Sequence, residues 1–510
     1  MPVIGLECEL LSTPRLGPPQ KKLQLHNGAL AAAGTLTKCV KCADKPAPLP
    51  SGVMTQNGGR LYVDGEFLEA ASPEVSNPRD ALVYLWAMER LLLTALKKSA
   101  AALSLDPNTA RLIRRCDDGA GHHLGFHVNV QTRHFAAPSI VEHLVPFLVT
   151  RFYGLAGGLG PDGFTLSQKH RAVRTVASND SRNQRGIVHL KNEPLASNGS
   201  RRVHICHGDM CMSELGCLLT VGATALVVRM LDDGACVGPA YRLSDPIDAL
   251  RRLDTDYEWS RPLPLASGGA AAAIDIQEHY CQAAARYARL CGEAWMLDVV
   301  ERWQWALDRL RAKGPSGLAD SFDAFIKMRL YQGLLRQHGL TLAEFGLWCG
   351  PVHATREYLS APEARDCRDV QGFLRERMAR VPLDFLCEQM ARDGLGWVHL
   401  QRAVTIYDQI LALDFRYHDT DPAGLYYRLR EAGVVDAGLV DDGEVARAMH
   451  TPPPDTRAAA RGRAIALVAG QPGAVANWLE VRNAKQRMLL ADPQSPCGEW
   501  KAIQPRARKK

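Results

Sequence analysis

The stretch RRVHICHGDMCMSELGCLLTVGATALVVRML, residues 201–231, joins a short alternating segment to a long apolar one. Hydrophobic and polar residues alternate over 202–206, which predicts a β-strand. Residues two apart on a strand share a face, so His204 and Cys206 are expected to project to the same side. The segment 212–231 is nearly all apolar and predicts a buried helix. A polar-faced strand beside a buried helix indicates a mixed fold whose sheet carries a site.

Other strands and helices are predicted on both sides of this stretch. Alternation predicts strands over 3–10, 60–64, 125–130 and 187–190, and the three-and-four spacing of apolar residues predicts helices over 79–103, 144–153, 274–310 and 399–413. Residues 11–60 show neither period, so a long loop with at most a short helix near residues 28–34 is expected there. Because strands and helices do not alternate regularly, the predicted fold class is α+β.

The length and composition fit a large globular enzyme. The chain has 510 residues, of which 46% are hydrophobic and 23% charged, and such a chain has ample material for a core. We predict a catalytic domain over 1–415 with an insertion near 341–398, a small C-terminal domain over 416–490, and a basic tail over 491–510. Proline residues 452–454 end one predicted helix before Asp455 begins the next.

Charge and cysteine content argue against several classes of protein. The net charge of +6 lies partly in the tail, so a nucleic-acid partner is not expected. The longest apolar run, 218–228, falls short of the ~18 residues that span a bilayer, so no membrane partner is expected. The N-terminus carries Glu7 and Glu9 and has no basic start, which makes it a poor export signal. Fourteen scattered cysteines favour a reducing cytoplasm without disulfides.

Polar pairs at the two-residue spacing recur on the predicted strands. The pairs are Glu7 with Glu9, Tyr62 with Asp64, His127 with Asn129, and His204 with Cys206, and Glu69 follows the second pair. Carboxylates and imidazoles from several strands are typical of a site for a divalent metal and phosphate. A single such pair more often marks a solvated strand face, and spacing alone does not show that the pairs converge.

Motifs for other chemistries are missing or incomplete. The sequence has no GxxxxGK(S/T) loop and no GxGxxG after a strand, so neither a P-loop enzyme nor a Rossmann dehydrogenase is supported. Cys39 and Cys42 have no second CxxC or HxxxH nearby to complete a zinc site. We therefore expect this pair to be structurally incidental in a mobile loop.

Taken in order, these segments resemble the family of Pup ligases and depupylases, which attach and remove the prokaryotic ubiquitin-like protein Pup and share the glutamine synthetase fold. IGLECE at 4–9 is similar to the family's IG(T/I)E(V/T)E, and NGGRLYVD at 57–64 to NGARLYVD. Residues 68–74 stand where the family has PEYS(A/T)PE, and PFLVTR at 146–151 resembles PFLxxR. Residues 185–231 resemble INTRDEP, RRLHVIxGDANxxE and GTTALVLxxIE. YHD at 417–419, PDTR at 454–457 and RGR at 461–463 resemble the C-terminal YHD and PDTTRxxxRGR.

The sequence departs from the family pattern at four positions. Val128 replaces the carboxylate of the family's HEN, and Ala70 replaces the aromatic residue of PEYS. Lys191 and Asn192 replace Arg and Asp of NTRDEP, which changes a planar donor fork into a point charge. The stretch between Glu9 and Tyr62 is nearer in length to that of the ligases, because the depupylase carries a longer loop there.

The resemblance implies a curved antiparallel sheet backed by helices, which binds ATP and Mg²⁺. The implied metal ligands are Glu7, Glu9, Glu69, His127, Asn129 and His204, and the implied nucleotide contacts are Tyr62, Lys191, Arg202, His204 and Arg457. Asp64 would take a proton from an incoming ammonium in a ligase, or attack the amide in a hydrolase.

Three functions are compatible with these implied residues. The first is an ATP- and Mg²⁺-dependent carboxylate-amine ligase that forms an isopeptide bond through an acyl phosphate, with a Pup-like protein or peptide as donor and a lysine amine as acceptor. The second is a depupylase-like amide hydrolase or deamidase that uses nucleotide as a cofactor. The third is a degenerate binding homologue, as the residues at Val128 and Lys191 would suggest.

Overall fold

The computed structural model describes residues 2–503 except 14–18, 44–51, 120–121, 134–138, 181–182, 190–194, 365–366, 368, 378–382, 393 and 395. Its strands are β1 Ile4–Thr13, β2 Cys39–Cys42, β3 Gly52–Thr55, β4 Arg60–Asp64, β5 Phe67–Ala71, β6 Arg111–Ile113, β7 Phe126–Thr132, β8 Gly158–Gly160, β9 Gly163–Thr165, β10 Thr175–Ser178, β11 Gly186–His189, β12 Arg201–Ile205, β13 Pro262–Pro264, β14 Ala270–Ala272, β15 Val475–Ala476, β16 Glu480–Arg482, β17 Gln486–Leu489 and β18 Trp500–Ala502.

The helices occupy most of the remaining described chain. They are α1 Pro19–Leu36, α2 Pro78–Ala102, α3 Val145–Val149, α4 Glu214–Asp232, α5 Pro246–Leu253, α6 Ala273–Cys291, α7 Ala294–Lys313, α8 Asp323–Gln337, α9 Leu342–Leu359, α10 Val370–Arg377, α11 Leu383–Arg392, α12 Trp397–Tyr417, α13 Leu425–Glu431, α14 Asp442–Ala448 and α15 Arg457–Val468. A π-helical turn, Ile140–Leu144, leads into α3.

One large sheet organises the molecule. Its strand order is β10-β11-β12-β7-β1-β5-β4-β3-β2-β15-β16-β17-β18, and β6 pairs with the far end of β1. Neighbouring strands run antiparallel except in the pairs β10–β11 and β2–β15. Two short hairpins, β8–β9 and β13–β14, stand apart from it. The predicted α+β class is therefore confirmed.

Alternation along β1 separates a core face from a polar face of this sheet. Leu6, Cys8 and Leu10 point into the hydrophobic core, where α2 lies against β1 and β5. Glu7 and Glu9 point to the opposite face. Burial of the first set fixes the register, because a slip of one residue would exchange the two faces.

Helices α2 and α4 form the centre of the helical layer. α2 begins as predicted, because the Asn77 side chain accepts a hydrogen bond from the Arg79 backbone N–H at 2.8 Å and Pro78 occupies the first turn. By length and composition α4 could cross a membrane, but 94% of its most apolar window is buried inside the protein. It packs against α2 and α7, as a core helix does.

The predicted loop over residues 11–60 is wrong in part. Residues 19–36 form α1, which lies along α2. At Gly28 the two helices approach so closely that a Cβ atom would lie 2.2 Å from Ser99 Oγ, and this hydroxyl donates to Leu25 O at 2.8 Å. The helix was missed because glycine lowers helix propensity and the apolar spacing is weak, whereas the contact with α2 stabilises it.

Cys39 and Cys42 also lie in regular structure, so the predicted mobile loop is wrong there. They begin and end β2, which pairs with β3 on one side and with β15 on the other. β15 follows more than 430 residues later in the chain. The local sequence pattern around β2 does not predict pairing with a strand so far away. Among the described residues no third His, Cys, Asp or Glu joins the two thiols in a metal-binding group.

Two helix predictions need shorter bounds. The segment 274–310 is not one helix, because α6 ends at Cys291, the next residue, Gly292, has a left-handed φ of 69°, and α7 starts at residue 294. The helix predicted over 144–153 is reduced to α3 and the π-helical turn before it. The predicted insertion, 341–398, contains α9 to α11, and α9 begins with a capping box between Thr341 and Glu344.

Contacts across residue 416 join the predicted domains closely. Tyr417 donates to the Asp323 carboxylate at 2.6 Å. Val40 and Met54 share a hydrophobic cluster with Ile465 and Val468 of α15. β15 to β18 extend the main sheet, and β18 lies inside the predicted basic tail. The boundaries themselves stay predictions, but the C-terminal segment completes the sheet of the large domain.

Candidate functional site

The polar face of the sheet forms the floor of an open cleft of about 2130 Å³. Residues of β1, β4, β5, β7, β11 and β12 line it, and most of the side chains predicted for the site lie on it: Glu7, Glu9, Tyr62, Asp64, Glu69, His127, Arg202 and His204. They converge because the strands are neighbours in register. Glu9 faces Glu69, Glu69 faces Tyr62, and Glu7 faces His127.

Glu7 is held by donors from two strands. Its carboxylate accepts from Asn129 Nδ2 at 3.0 Å, lies 3.2 Å from His127 Nδ1 and pairs with Arg202 Nη1 at 3.5 Å. Burial by itself raises the pKa of Glu7, but the His127 hydrogen bond and the neighbouring charges hold it well below its usual range. Burial lowers the pKa of His204 well below its usual range, which disfavours its charged form.

Glu69 is the buried centre of a group of carboxylates. Burial, and then the charges of Glu7 and Glu9, raise its pKa well above the ordinary value, whereas a hydrogen bond from the Tyr62 hydroxyl opposes this shift. Its ligand atoms lie within 4.8 Å of those of Glu9 and Asp64, and also within 4.8 Å of those of Glu7 and His127. Carboxylates this close repel one another unless a cation lies between them.

This donor set fits Mg²⁺. Glu7, Glu9 and Glu69 line the same cleft, and the hard oxygen ligands of Glu7 and Glu9 each lie within 4.8 Å of that of Glu69, while the open cleft leaves room for phosphates. Arg202 and His204 lie on the same wall. The metal and nucleotide roles of all these residues remain predictions, and the geometry is compatible with them.

Two predicted contacts lie away from the main cleft. Asn129 orients Glu7, and it borders a smaller adjoining cavity of about 80 Å³. Arg457 borders the same small cavity, and its Nε pairs with Glu74 Oε1 at 2.7 Å. Its buried guanidinium is thereby committed to a structural ion pair. Lys191 lies outside the described residues, so its predicted nucleotide contact has no structural counterpart here.

Asp64 sits at the exposed end of β4, where the hairpin to β5 begins. Its carboxylate reaches the rim of the cleft beside Glu9 and Glu69. This position leaves it accessible to an incoming amine, whereas Glu69 below it is buried. The predicted proton-accepting role stays a prediction, and an exposed carboxylate next to a metal group is suited to it.

The cleft also holds side chains that the sequence analysis did not select. They are Arg60, His123, Lys169, Arg185, His189 and Trp478. His189 ends a correctly predicted strand and faces His204 across β11 and β12, so its place in the alternation could have revealed it. Lys169 and Trp478 reach the cleft from a loop and from the C-terminal segment, for which no strand period exists.

Comparison with known proteins identifies the family. The family model described as Pup-ligase protein matches residues 23–347 and 383–482. A depupylase of Acidothermus cellulolyticus is 31% identical, with 87% of this chain and 78% of the relative covered. A Pup–protein ligase of Kineococcus radiotolerans is 30% identical, with 72% and 89% covered, and one of Acidimicrobium ferrooxidans is 29% identical, with 87% of each covered.

Solved structures match the fold. The complex of Pup with its ligase PafA superposes with a TM-score of 0.72 at 21% identity, over 97% of this chain and 90% of the other. PafA in complex with ADP gives 0.67 at 22% identity, over 88% and 87%. The glutamine synthetase-like fold and the family relationship predicted from the sequence motifs are therefore confirmed, and the chain belongs to the Pup-ligase family.

Proposed function

We propose that this chain is an ATP-dependent ligase that joins a carboxylate of a Pup-like protein to a lysine amine. The observation that carries the proposal is that Glu7 and Glu9 each approach the buried Glu69 on the floor of an open cleft, in a chain of the Pup-ligase family. A ligase of this kind needs a metal site for phosphates and, beside it, space for two protein substrates. The carboxylates and the open volume of the cleft support both requirements.

In this proposal different residues of the cleft bind the metal, balance phosphate charge and transfer a proton. Glu7, Glu9 and Glu69 would hold Mg²⁺, and Arg202 would balance phosphate charge. ATP with Mg²⁺ supplies a phosphoryl group that activates the donor carboxylate for displacement by an amine. The Tyr62 hydroxyl donates to Glu69 and fixes its orientation. In this proposal Asp64 accepts the proton that the ammonium group of the acceptor loses before it attacks.

Amide hydrolysis is the second candidate. It is favoured by the depupylase of Acidothermus cellulolyticus, which is 31% identical to this chain. In that reaction Asp64 would attack the isopeptide carbon. The chain nevertheless covers only 78% of that relative, against 87% and 89% of the two ligases. The stretch between Glu9 and Tyr62, which by the sequence resemblance is nearer in length to that of the ligases, also favours ligation.

A reconstituted reaction tests the proposal. The full chain is incubated with ATP, Mg²⁺, a Pup-like protein ending in Glu and a lysine-bearing acceptor, and conjugate and ADP are both quantified. We expect ADP to form in proportion to conjugate. Cleavage of a preformed conjugate without proportional ADP would instead establish the hydrolase. Neither reaction, with nucleotide still bound, would identify a binding homologue.

A cytoplasmic location belongs to the same proposal. The thirteen cysteines whose side chains the structure describes are all free thiols, seven of them buried. Thiols of this kind suit a reducing compartment. Fractionation of the native host, with the chain detected by antibody, would test the location directly.

A further inference from the structure

A second group of ligand-type side chains lies on the cleft next to the carboxylates. His127 of β7, His204 of β12 and Cys206 directly after β12 each offer one ligand atom, and these atoms lie within 4.8 Å of one another. His204 and Cys206 are buried, and His127 is partly buried. We call these three residues the nitrogen–sulfur group. It differs chemically from the carboxylates because two imidazoles and a thiol are borderline or soft donors.

The strand register builds this group. His204 and Cys206 are two residues apart and therefore project to one face. β7 lies beside β12, and the ring centroids of His127 and His204 are 4.8 Å apart. His189 faces His204 from β11, where its ring stacks on that of His204 at 5.6 Å. Four soft or borderline side chains thus come from three adjacent strands.

The His204 ring lacks the partners that a buried imidazole normally has. It is 4% exposed, and neither of its ring nitrogens has a hydrogen-bond partner among the described residues. Leaving such polar atoms buried and unpaired is costly, and one of them lies within 4.8 Å of the ligand atoms of a thiol and a second imidazole, which indicates a bound ligand. Glu7 contacts His127 as carboxylates often do behind a metal-bound histidine.

We propose that the nitrogen–sulfur group binds a divalent transition-metal ion of the Zn²⁺ class. The two histidines bind as neutral imidazoles, and the Cys206 thiol binds as a thiolate after releasing its proton to solvent. His189 or a water molecule completes the four ligands. Tetrahedral bonds of about 2.0–2.3 Å require only a small approach of atoms that already lie within 4.8 Å. Mg²⁺ prefers oxygen and remains with the carboxylates.

This assignment does not depend on the ligase reaction. The sequence analysis placed His127 and His204 with Mg²⁺, whereas the position of Cys206 beside them argues for a softer ion. Binding can be measured without ATP, donor or acceptor. A failed ligation assay would leave the metal proposal intact, and a failed metal titration would leave the carboxylate site intact.

Cobalt titration tests the proposal, because Co²⁺ occupies zinc sites and its thiolate bond absorbs light. The metal-free full chain is titrated with Co²⁺ without nucleotide and followed in the near ultraviolet and visible. We expect one equivalent to bind with a sulfur-to-cobalt band, which Zn²⁺ removes and a large excess of Mg²⁺ does not. Cys206→Ser should abolish the band and weaken Zn²⁺ binding by more than about tenfold, since even partners behind a metal ligand contribute 10- to 100-fold.

Cys42→Ser is the matched control, because Cys42 lines the same cleft from β2, which several strands of the sheet separate from β12. This variant should keep the band. Circular dichroism verifies that the variants fold. Cys206→Ala provides a second variant of the group, and His189→Asn a variant of the candidate fourth ligand. Absence of a thiolate band in the parent chain, retention of the band in Cys206→Ser, or its loss in Cys42→Ser would each overturn the proposal.

Discussion

At the scale of single residues, a substitution at Asp64 can test catalysis separately from nucleotide binding. It lies exposed on the rim of the cleft, whereas the carboxylates expected to hold the metal lie below it. Asp64→Asn keeps the size of the side chain but removes its ability to accept a proton. We expect turnover to fall by about 10²- to 10⁴-fold, with ATP affinity within a few-fold of the parent.

The control for this variant is Glu66→Gln. Glu66 belongs to the same hairpin and lines the same cleft, but its side chain is 70% exposed and pairs with Lys22. Turnover is measured by kinetics and ATP affinity by calorimetry for both Asp64→Asn and Glu66→Gln. Near-normal turnover in Asp64→Asn would remove this residue from the mechanism.

Glu74 is a residue on which the fold depends. It lies between Arg457 and Arg461, both buried. Burial alone raises its pKa, but the two guanidinium groups lower the pKa from 4.5 to about 2. A carboxyl with a lowered folded-state pKa contributes stability above its unfolded pKa and loses that contribution as the pH falls through its folded pKa.

We therefore expect Glu74→Gln to lower the free energy of unfolding by about 3 kcal/mol or more at neutral pH, because it leaves two buried cations short of a partner. The difference in the free energy of unfolding between Glu74→Gln and the parent should be constant above about pH 5. It should become smaller as the pH falls towards 2. Urea unfolding at a series of pH values measures it. A difference that stays the same across that range would contradict the assigned cause.

At the scale of elements, the contact of α1 with α2 explains why a weakly patterned segment is helical. Gly28 leaves no room for a side chain against Ser99. In an isolated helix Gly28→Ala would stabilise, but here we expect a loss of about 1–3 kcal/mol, the usual cost of overpacking. Adding Ser99→Ala removes the closest atom, so the Gly28→Ala cost should be smaller in that background. Equal costs in both backgrounds, from thermal or urea unfolding, would argue against the close contact.

The elements also show what the sequence could and could not predict. Strand β4 was predicted with its observed bounds, and α2 within one residue of them, because alternation, helical spacing and the Asn77-Pro78 start are local signals. The pairing of β2 with β15 was missed since it depends on a partner remote in the chain. Most predicted site residues share the cleft because they repeat at strand spacing, whereas Arg457 was placed there by motif alone and pairs with Glu74.

At the scale of the whole molecule, the C-terminal segment and the large domain should unfold together. β15 to β18 continue the main sheet, and His418 and Asp414 surround the buried Lys327, whose Nζ lies 3.0 Å from His418 Nε2. Such contacts couple the two predicted domains. Calorimetry of the full chain should show one transition, and a chain ending at residue 415 should not fold cooperatively. Two well-separated transitions would support an independent C-terminal domain.

The whole site should bind ATP only together with a divalent cation. Glu7, Glu9 and Glu69 face the space that the phosphates would enter, and carboxylates and phosphates of like charge repel unless an ion lies between them. We expect calorimetry to detect ATP binding with Mg²⁺ and little or none with EDTA. Glu69→Gln should remove the Mg²⁺-dependent part.

Two comparisons make this prediction specific to the carboxylate group. Glu480→Gln, which changes a partly buried glutamate on β16, is the control and should bind ATP as the parent does. Far-ultraviolet circular dichroism should be unchanged in both variants, because the added amide can still accept from Tyr62. ATP affinity that is equal with and without Mg²⁺ would show that the carboxylates do not form a phosphate-binding metal site. Phosphate binding in the cleft would then have to rest on its basic side chains, such as Arg202 and Lys169.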